Sequence, residues 1–144
     1  MTTPKQILER AREKYNEHSW IIGEPKIGKG TWIGAFTVID GSGGLKIGKE
    51  CDISCGVHIY THSTVKRCIT GKKFNEDGTI NRELIERKPV EIGDNTFIGA
   101  NATIMMGVKI GNRCIIGAGS VVTKDVPSDT TVVGIPAKDI KCKQ

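Results

Sequence analysis

A chain of 144 residues accommodates one domain, and a hydrophobic share of 38% is modest for a packed two-layer core. No apolar run approaches the roughly 20 residues of a membrane span and the charged N-terminal stretch lacks a signal-peptide core, so a soluble, cytoplasmic protein is expected. The formal net charge of +5 favours anionic small molecules, while the absence of aromatics interleaved with basic residues argues against a nucleobase-stacking surface. Five cysteines with no CxxC pair match neither a disulfide framework nor a zinc ribbon, and fit a reducing compartment.

Thr3-Pro4-Lys5-Gln6 reads as a helix start, with a Thr cap, Pro at the first helical position and Gln three residues after the cap. Ile7, Leu8, Ala11 and Tyr15 then recur at helical spacing, predicting a short amphipathic helix to about Asn16. Its expected task is to cover one open end of the repeat array that begins near Ile21, as the cap of residues 1–20.

From Ile21 the chain falls into six-residue phrases, clear in IGKGTW, IGAFTV and IDGSGG. A slip of two residues at Gly43-Gly44-Leu45-Lys46 reads as a glycine-rich bulge at a corner. The phrases resume as IGKECD, ISCGVH and IYTHST. Between Thr64 and Pro89 they give way to a charged excursion with an Asp-Gly turn signal, the kind of long insertion that is functional or disordered. They return in phase as IGDNTF, IGANAT, IMMGVK, IGNRCI, IGAGSV and VTKDVP, then decay toward Gly134 and a basic tail over 135–144.

The first slot is aliphatic (Ile92, Ile98, Ile104, Ile110, Ile116, Val122) and the fifth is small or β-branched (Thr96, Ala102, Val108, Cys114, Ser120, Val126). Neither period 3.6 nor period 2 generates this, whereas a short extended run followed by a corner does. The prediction is an all-β domain, a parallel β-helix over 21–134, in which three hexads close a triangular coil and coils stack about 4.8 Å apart. Cys51 and Cys114 occupy the small slot as compact hydrophobes. Glycine in the second slot (Gly93, Gly99, Gly111, Gly117) is expected at the corner, where φ is positive.

The hexad array, the excursion after YTHST, the segment IGDNTFIGANATI, the run GVKIGNRCIIGAGSVVTKDVP and the closing GIPAKDI together resemble the hexapeptide-repeat acyltransferases, most of all the small sugar, galactoside or maltose acetyltransferases. The resemblance implies a left-handed helix, against the usual right-handed crossover preference. It also implies a homotrimer with acetyl-CoA sites between subunits. His62, where the solenoid yields to the excursion, resembles the family's catalytic histidine; imidazole titrates near neutral pH and can take a proton from a hydroxyl or amine. Direct transfer without an acyl-enzyme is implied, with a backbone N–H as oxyanion donor. A carboxylate is expected to orient His62, and Glu76, Asp77 and Glu83 of the excursion are available.

Ala100 and Ala118, three hexads apart, match positions whose backbone meets the pantetheine arm, with Thr123 a further candidate. Lys138 and Lys141 match basic residues of the family's tail that meet the adenosine phosphates, as point charges where relatives often carry Arg. Trp32, Phe97 and His58 occupy outward slots that either line the acceptor cleft or pack between subunits; His18, beside Trp20, reads as a packing residue. Expected is acetyl transfer to a sugar hydroxyl, as in surface-polysaccharide synthesis. The alternatives are N-acetylation of an amino-sugar nucleotide, a β-helical zinc hydratase of the carbonic anhydrase type, or a non-catalytic scaffold. His58 and His62 have no evident third ligand partner, so no metal site is expected.

Overall fold

The computed structural model describes residues 18–140; the N-terminal helix expected up to Asn16, and Lys141, lie outside them. The first coil is made of β1 (Trp20–Ile22), β2 (Lys26–Ile27) and β3 (Trp32–Ile33). The second is β4 (Val38–Asp40), β5 (Leu45–Ile47) and β6 (Asp52–Ile53), and the third opens with β7 (His58–Ile59). The excursion carries β8 (His62–Ser63), α1 (Val65–Ile69) and β9 (Glu86–Arg87). The path resumes with β10 (Val90–Ile92), β11 (Phe97–Ile98), β12 (Thr103–Ile104), β13 (Lys109–Ile110), β14 (Ile115–Ile116) and β15 (Val121–Val122), and ends with β16 (Thr131–Gly134) and β17 (Ala137–Asp139).

These strands stack into three parallel faces, in the orders β1-β4-β7-β12-β15, β2-β5-β10-β13 and β3-β6-β11-β14-β16. The domain is a left-handed parallel β-helix. Like pairs with like across coils: Ile39 lies beside Ile59, Ile98 beside Ile116 and Ile104 beside Val122. The first-slot aliphatics and the fifth-slot residues both point inward, and Ile39, Ile59, Ile98, Ile104, Ile116 and Ala102 are fully buried. The buried hydroxyls of the fifth slot bridge coils: Thr96 donates to Gly111 O at 2.8 Å and accepts from Cys114 N–H at 3.2 Å. Burial therefore leaves them satisfied. Among the described residues no helix is long and apolar enough to cross a membrane.

The second-slot glycines are needed for a different reason from the one expected. Positive φ falls in the fourth slot instead, at Gly119 (φ 69°) and even at Asn101 (φ 59°) and Phe36 (φ 58°). The second slot is where the next coil comes closest: a Cβ on Gly99 would sit 2.6 Å from Ala118 N, and one on Gly111 2.5 Å from Ser128 N. Steric contact between coils, not a backbone torsion, keeps side chains out.

The slip also differs from a strand bulge. Ile21 pairs with Ile39, eighteen residues on, but Ile39 pairs with Ile59, twenty on, and the two added residues enlarge the corner between β4 and β5. The excursion is not a structureless loop: β8 and β9 form an antiparallel stem, and Phe74 bridges Ile80 beyond α1. Nor is the end of the described chain a free tail, because β17 folds back on β16 with Val133 opposite Lys138.

The two glycine roles separate by mutation. Gly99→Ala should lower stability in urea unfolding by about 1–3 kcal/mol through overpacking, while Asn101→Gly, which frees a left-handed residue, should change it by less than about 1 kcal/mol.

Candidate active site

Both breaks in the six-residue period fall at the corner between the first and second faces, on consecutive coils, and there they meet. From the enlarged corner, Gly43 N–H donates to Thr61 Oγ1 at 2.8 Å. The Thr61 hydroxyl in turn donates to Asp40 O at 2.9 Å, and Thr61 N–H to Asp40 Oδ2 at 2.8 Å. Ser42 N–H donates to Asp40 Oδ1 at 2.9 Å. The next residue after Thr61 is His62, whose Nδ1 lies 2.6 Å from Asp40 Oδ2 and 3.2 Å from Ser42 Oγ. Asp40 is wholly buried, and the His62 side chain is 30% exposed.

Burial pushes the Asp40 carboxyl up, but the hydrogen bonds from the Ser42 hydroxyl, the Thr61 and Ser42 N–H groups and His62 outweigh it and hold the acid well below the usual carboxylate range. An ionised carboxylate only accepts, so the His62 Nδ1 carries the proton and donates it. Nε2 is then the basic nitrogen, on a ring held in place by a buried charge and partly open to solvent. A histidine–carboxylate pair of this geometry is able to take a proton from a hydroxyl and to stabilise the resulting imidazolium.

The orienting acid is therefore Asp40, not one from the excursion. Asp77 accepts from the Thr79 hydroxyl at 2.6 Å and its N–H at 2.9 Å, and Glu76 and Glu83 are exposed. A signal for Asp40 existed: it is an acid in the second slot of its hexad, where glycine is usual, at the start of the slip. Only stacking brings it beneath the residue that succeeds Tyr60-Thr61.

The other candidates are dispersed. His58, on β7 of the first face, meets Tyr60 Oη through Nδ1 at 3.2 Å, with the rings edge to face at 5.9 Å. Among the described residues no carboxylate pairs with it. Trp32 and Phe97 lie on the third face, in one column with Asp52 between them and Ile115 beyond, and not at the His62 corner. Ala100 and Ala118 stack between the third and first faces, where Gly119 N–H donates to Ala100 O at 2.8 Å. Thr123 is exposed on the corner of His62, two coils on. Lys138 is exposed on β17. His18 stacks on Phe36 with ring centroids 5.7 Å apart. Among the described residues no three His, Cys, Asp or Glu side chains form a set able to hold a metal ion.

A solenoid of this repeat with a histidine and a buried carboxylate at the mouth of its one excursion defines a class of protein. The family model described as the hexapeptide repeat of succinyl-transferase matches residues 26–61 and 89–124, half of the chain, and its two matches bracket the excursion. The chain belongs to the hexapeptide-repeat transferase family. It is 33% identical over 97 residues to the galactoside O-acetyltransferase of Escherichia coli K12, covering 67% of this chain and 47% of that protein. It is 38% identical over 116 residues to a serine acetyltransferase of Staphylococcus aureus, covering 81% and 48%. The chain thus spans about half the length of these curated relatives. Among solved structures, a hexapeptide-repeat acetyltransferase of Vibrio cholerae complexed with acetyl-CoA superposes with a TM-score of 0.62 at 28% identity, over 95% of this chain and 75% of that one.

Because the folded Asp40 value lies below the ordinary one of about 4, its contribution to stability is complete above that pH and is lost as pH falls below it. Thermal melts from pH 7 to pH 2 should therefore show Asp40→Asn less stable than the parent near neutrality, with the gap closing in acid.

Proposed function

We propose that the chain is an acetyl-CoA-dependent acyltransferase that acetylates a hydroxyl of a small acceptor, a sugar first among them. The observation that carries this reading is the His62–Asp40 pair, a ring fixed through Nδ1 by a buried carboxylate, its Nε2 making no hydrogen bond to a described residue. Both curated relatives described above bear names of acetyltransferases, and galactosides and serine alike offer an alcohol.

In this mechanism His62 Nε2 takes the hydroxyl proton as the acceptor oxygen bonds to the thioester carbonyl carbon. Asp40 balances the charge that appears on the ring. When the tetrahedral adduct collapses, the carbon–sulfur bond breaks and the same proton passes from Nε2 to the departing thiolate. No acyl-enzyme forms. Ala100 and Ala118 suit the pantetheine arm, since one is half-buried, the other exposed, and neither side chain obstructs an extended ligand. Thr123 would extend that track, and Lys138 and Lys141 would meet the phosphates. His58 and its Tyr60 partner, beside the His62 corner, line the acceptor better than Trp32 and Phe97 do. Those two, with Ile115, are exposed apolar residues of a third-face column that Asp52 interrupts, a face that a homotrimer would cover.

The deciding experiment is thiol release from acetyl-CoA against a panel of sugars, nucleotide sugars and serine. His62→Ala should lower kcat by roughly 10²–10⁴, and Asp40→Asn should lower it substantially with acetyl-CoA binding retained. His58→Ala should act mainly on the acceptor KM. Absence of thiol release with every acceptor would refute the reading, as would stoichiometric zinc whose removal abolishes activity. In the same assay, Lys138→Gln combined with Lys141→Gln should raise the KM for acetyl-CoA, less so for its dephospho form, and leave the acceptor KM unchanged. An effect confined to the acceptor would reassign those lysines.

A further inference from the structure

Lysines predominate on the outer side of the second face. Its outward residues run Lys26, Lys46, Glu91, Lys109 from coil to coil. Lys26 and Lys46 are direct partners in the parallel ladder, an arrangement of like charges that costs stability. At the adjoining corner Lys29 and Lys49 stack in the same way, with Glu50 N–H donating to Lys29 O at 3.0 Å. None of the four forms an ion pair with a described residue. Together they line a groove of about 400 Å³ in which Asp94 is the single carboxylate, with Glu91 the ladder neighbour of Lys46 at its edge, so cations outnumber acids there.

A second feature of the same corner points to an anion. In the upper coils each third-slot N–H is met by a side-chain oxygen from the next coil: Asn112 N–H by Ser128 Oγ at 2.9 Å, Asp94 N–H by Asn112 Oδ1 at 2.7 Å, Lys49 N–H by Asp94 Oδ1 at 2.9 Å. The ladder stops at Lys29, because Lys49 has no acceptor to offer it. The Lys29 N–H is without a partner among the described residues. That N–H, on an exposed residue, is open to an oxygen acceptor where four lysines line the groove.

The groove also reaches the catalytic corner. A hollow of about 240 Å³ shares Lys26 and Lys46 with it, carries Glu24 and Glu91 on its wall, and runs to Gly44 and Pro89. Gly44 closes the enlarged corner two residues after Ser42, and Pro89 closes the excursion that His62 opens.

We propose that this groove is a phosphate subsite for the acceptor: Lys26, Lys29, Lys46 and Lys49 hold a phosphomonoester or diphosphate while the rest of the acceptor extends past Gly44 toward His62. The proposal rests on the acyl-transfer reading for the direction of the acceptor, but not for the anion site itself. Phosphates of coenzyme A are the other source of the same chemistry. The assignment to the acceptor comes from position, because the groove adjoins the His62 corner on the second face, whereas Lys138 lies on the third.

Calorimetric titration with pyrophosphate and with uridine diphosphate, at low and at physiological salt and without turnover, tests the site. Lys26→Gln/Lys46→Gln and Lys29→Gln/Lys49→Gln should each weaken binding by about tenfold or more, the loss of charge-assisted contacts. The corresponding Arg pairs should retain binding, and an excursion control, Lys66→Gln/Lys72→Gln, should leave it unchanged. Melting curves verify that each variant is folded. Equal weakening in all the Gln pairs would reduce the effect to diffuse charge and overturn the proposal. Displacement of pyrophosphate by acetyl-CoA, with weaker acetyl-CoA binding in the Lys26/Lys46 pair, would give the groove to the coenzyme and overturn the acceptor assignment. Loss of acetyl transfer bears on His62 alone, so a dead enzyme that still binds pyrophosphate separates the failure of the catalytic reading from the failure of this one.

Discussion

The spacing between coils is the constraint on which the rest of this molecule depends. Backbone hydrogen bonds hold successive turns about 4.8 Å apart, and at second slots such as Gly99 and Gly111 the neighbouring backbone comes so near that a Cβ would collide with it. The same proximity sets the aliphatic column in unbroken contact and lets buried hydroxyls such as that of Thr96 join two coils. A prism built this way has a thin core and little tolerance for irregularity. Departures from the period are confined to places where the chain can leave the prism.

Here both departures use one corner. The two residues added after Asp40 make room for Ser42 and Gly43 to reach the coil above, and the excursion begins on that coil with Thr61 and His62. Each irregularity supplies half of what the other lacks: the slip brings a carboxylate with its donors, and the excursion brings an exposed imidazole. A regular hexad would place glycine where Asp40 stands, and a regular third coil would continue along the second face instead of turning outward at His62.

Charge is distributed along the solenoid with comparable economy. Asp40 is buried and ionised because several donors converge on it. Lys26, Lys29, Lys46 and Lys49 of the first two coils are exposed and form no ion pair among the described residues, while Arg113 and Asp129 pair at 2.6 Å toward the opposite end. A buried anion beside a histidine fixes the ring and its Nδ1 proton. Exposed cations attract anions in general.

Taken alone, the sequence determined the repeat, the triangular coil and the inward columns, because a six-residue period is local and every coil repeats the same instruction. It also marked His62, since the end of a period is visible without coordinates. The partner of that histidine was decided by tertiary structure: Asp40 is 22 residues away in the chain, and only coils that stack with a two-residue slip bring its carboxylate to 2.6 Å. The true reason for the second-slot glycines, the separation of Trp32 and Phe97 from the His62 corner, and the meeting of Lys26 with Lys46 are of the same kind. Each depends on which residues of different coils become neighbours, and that is a property of register, which no window along the chain contains.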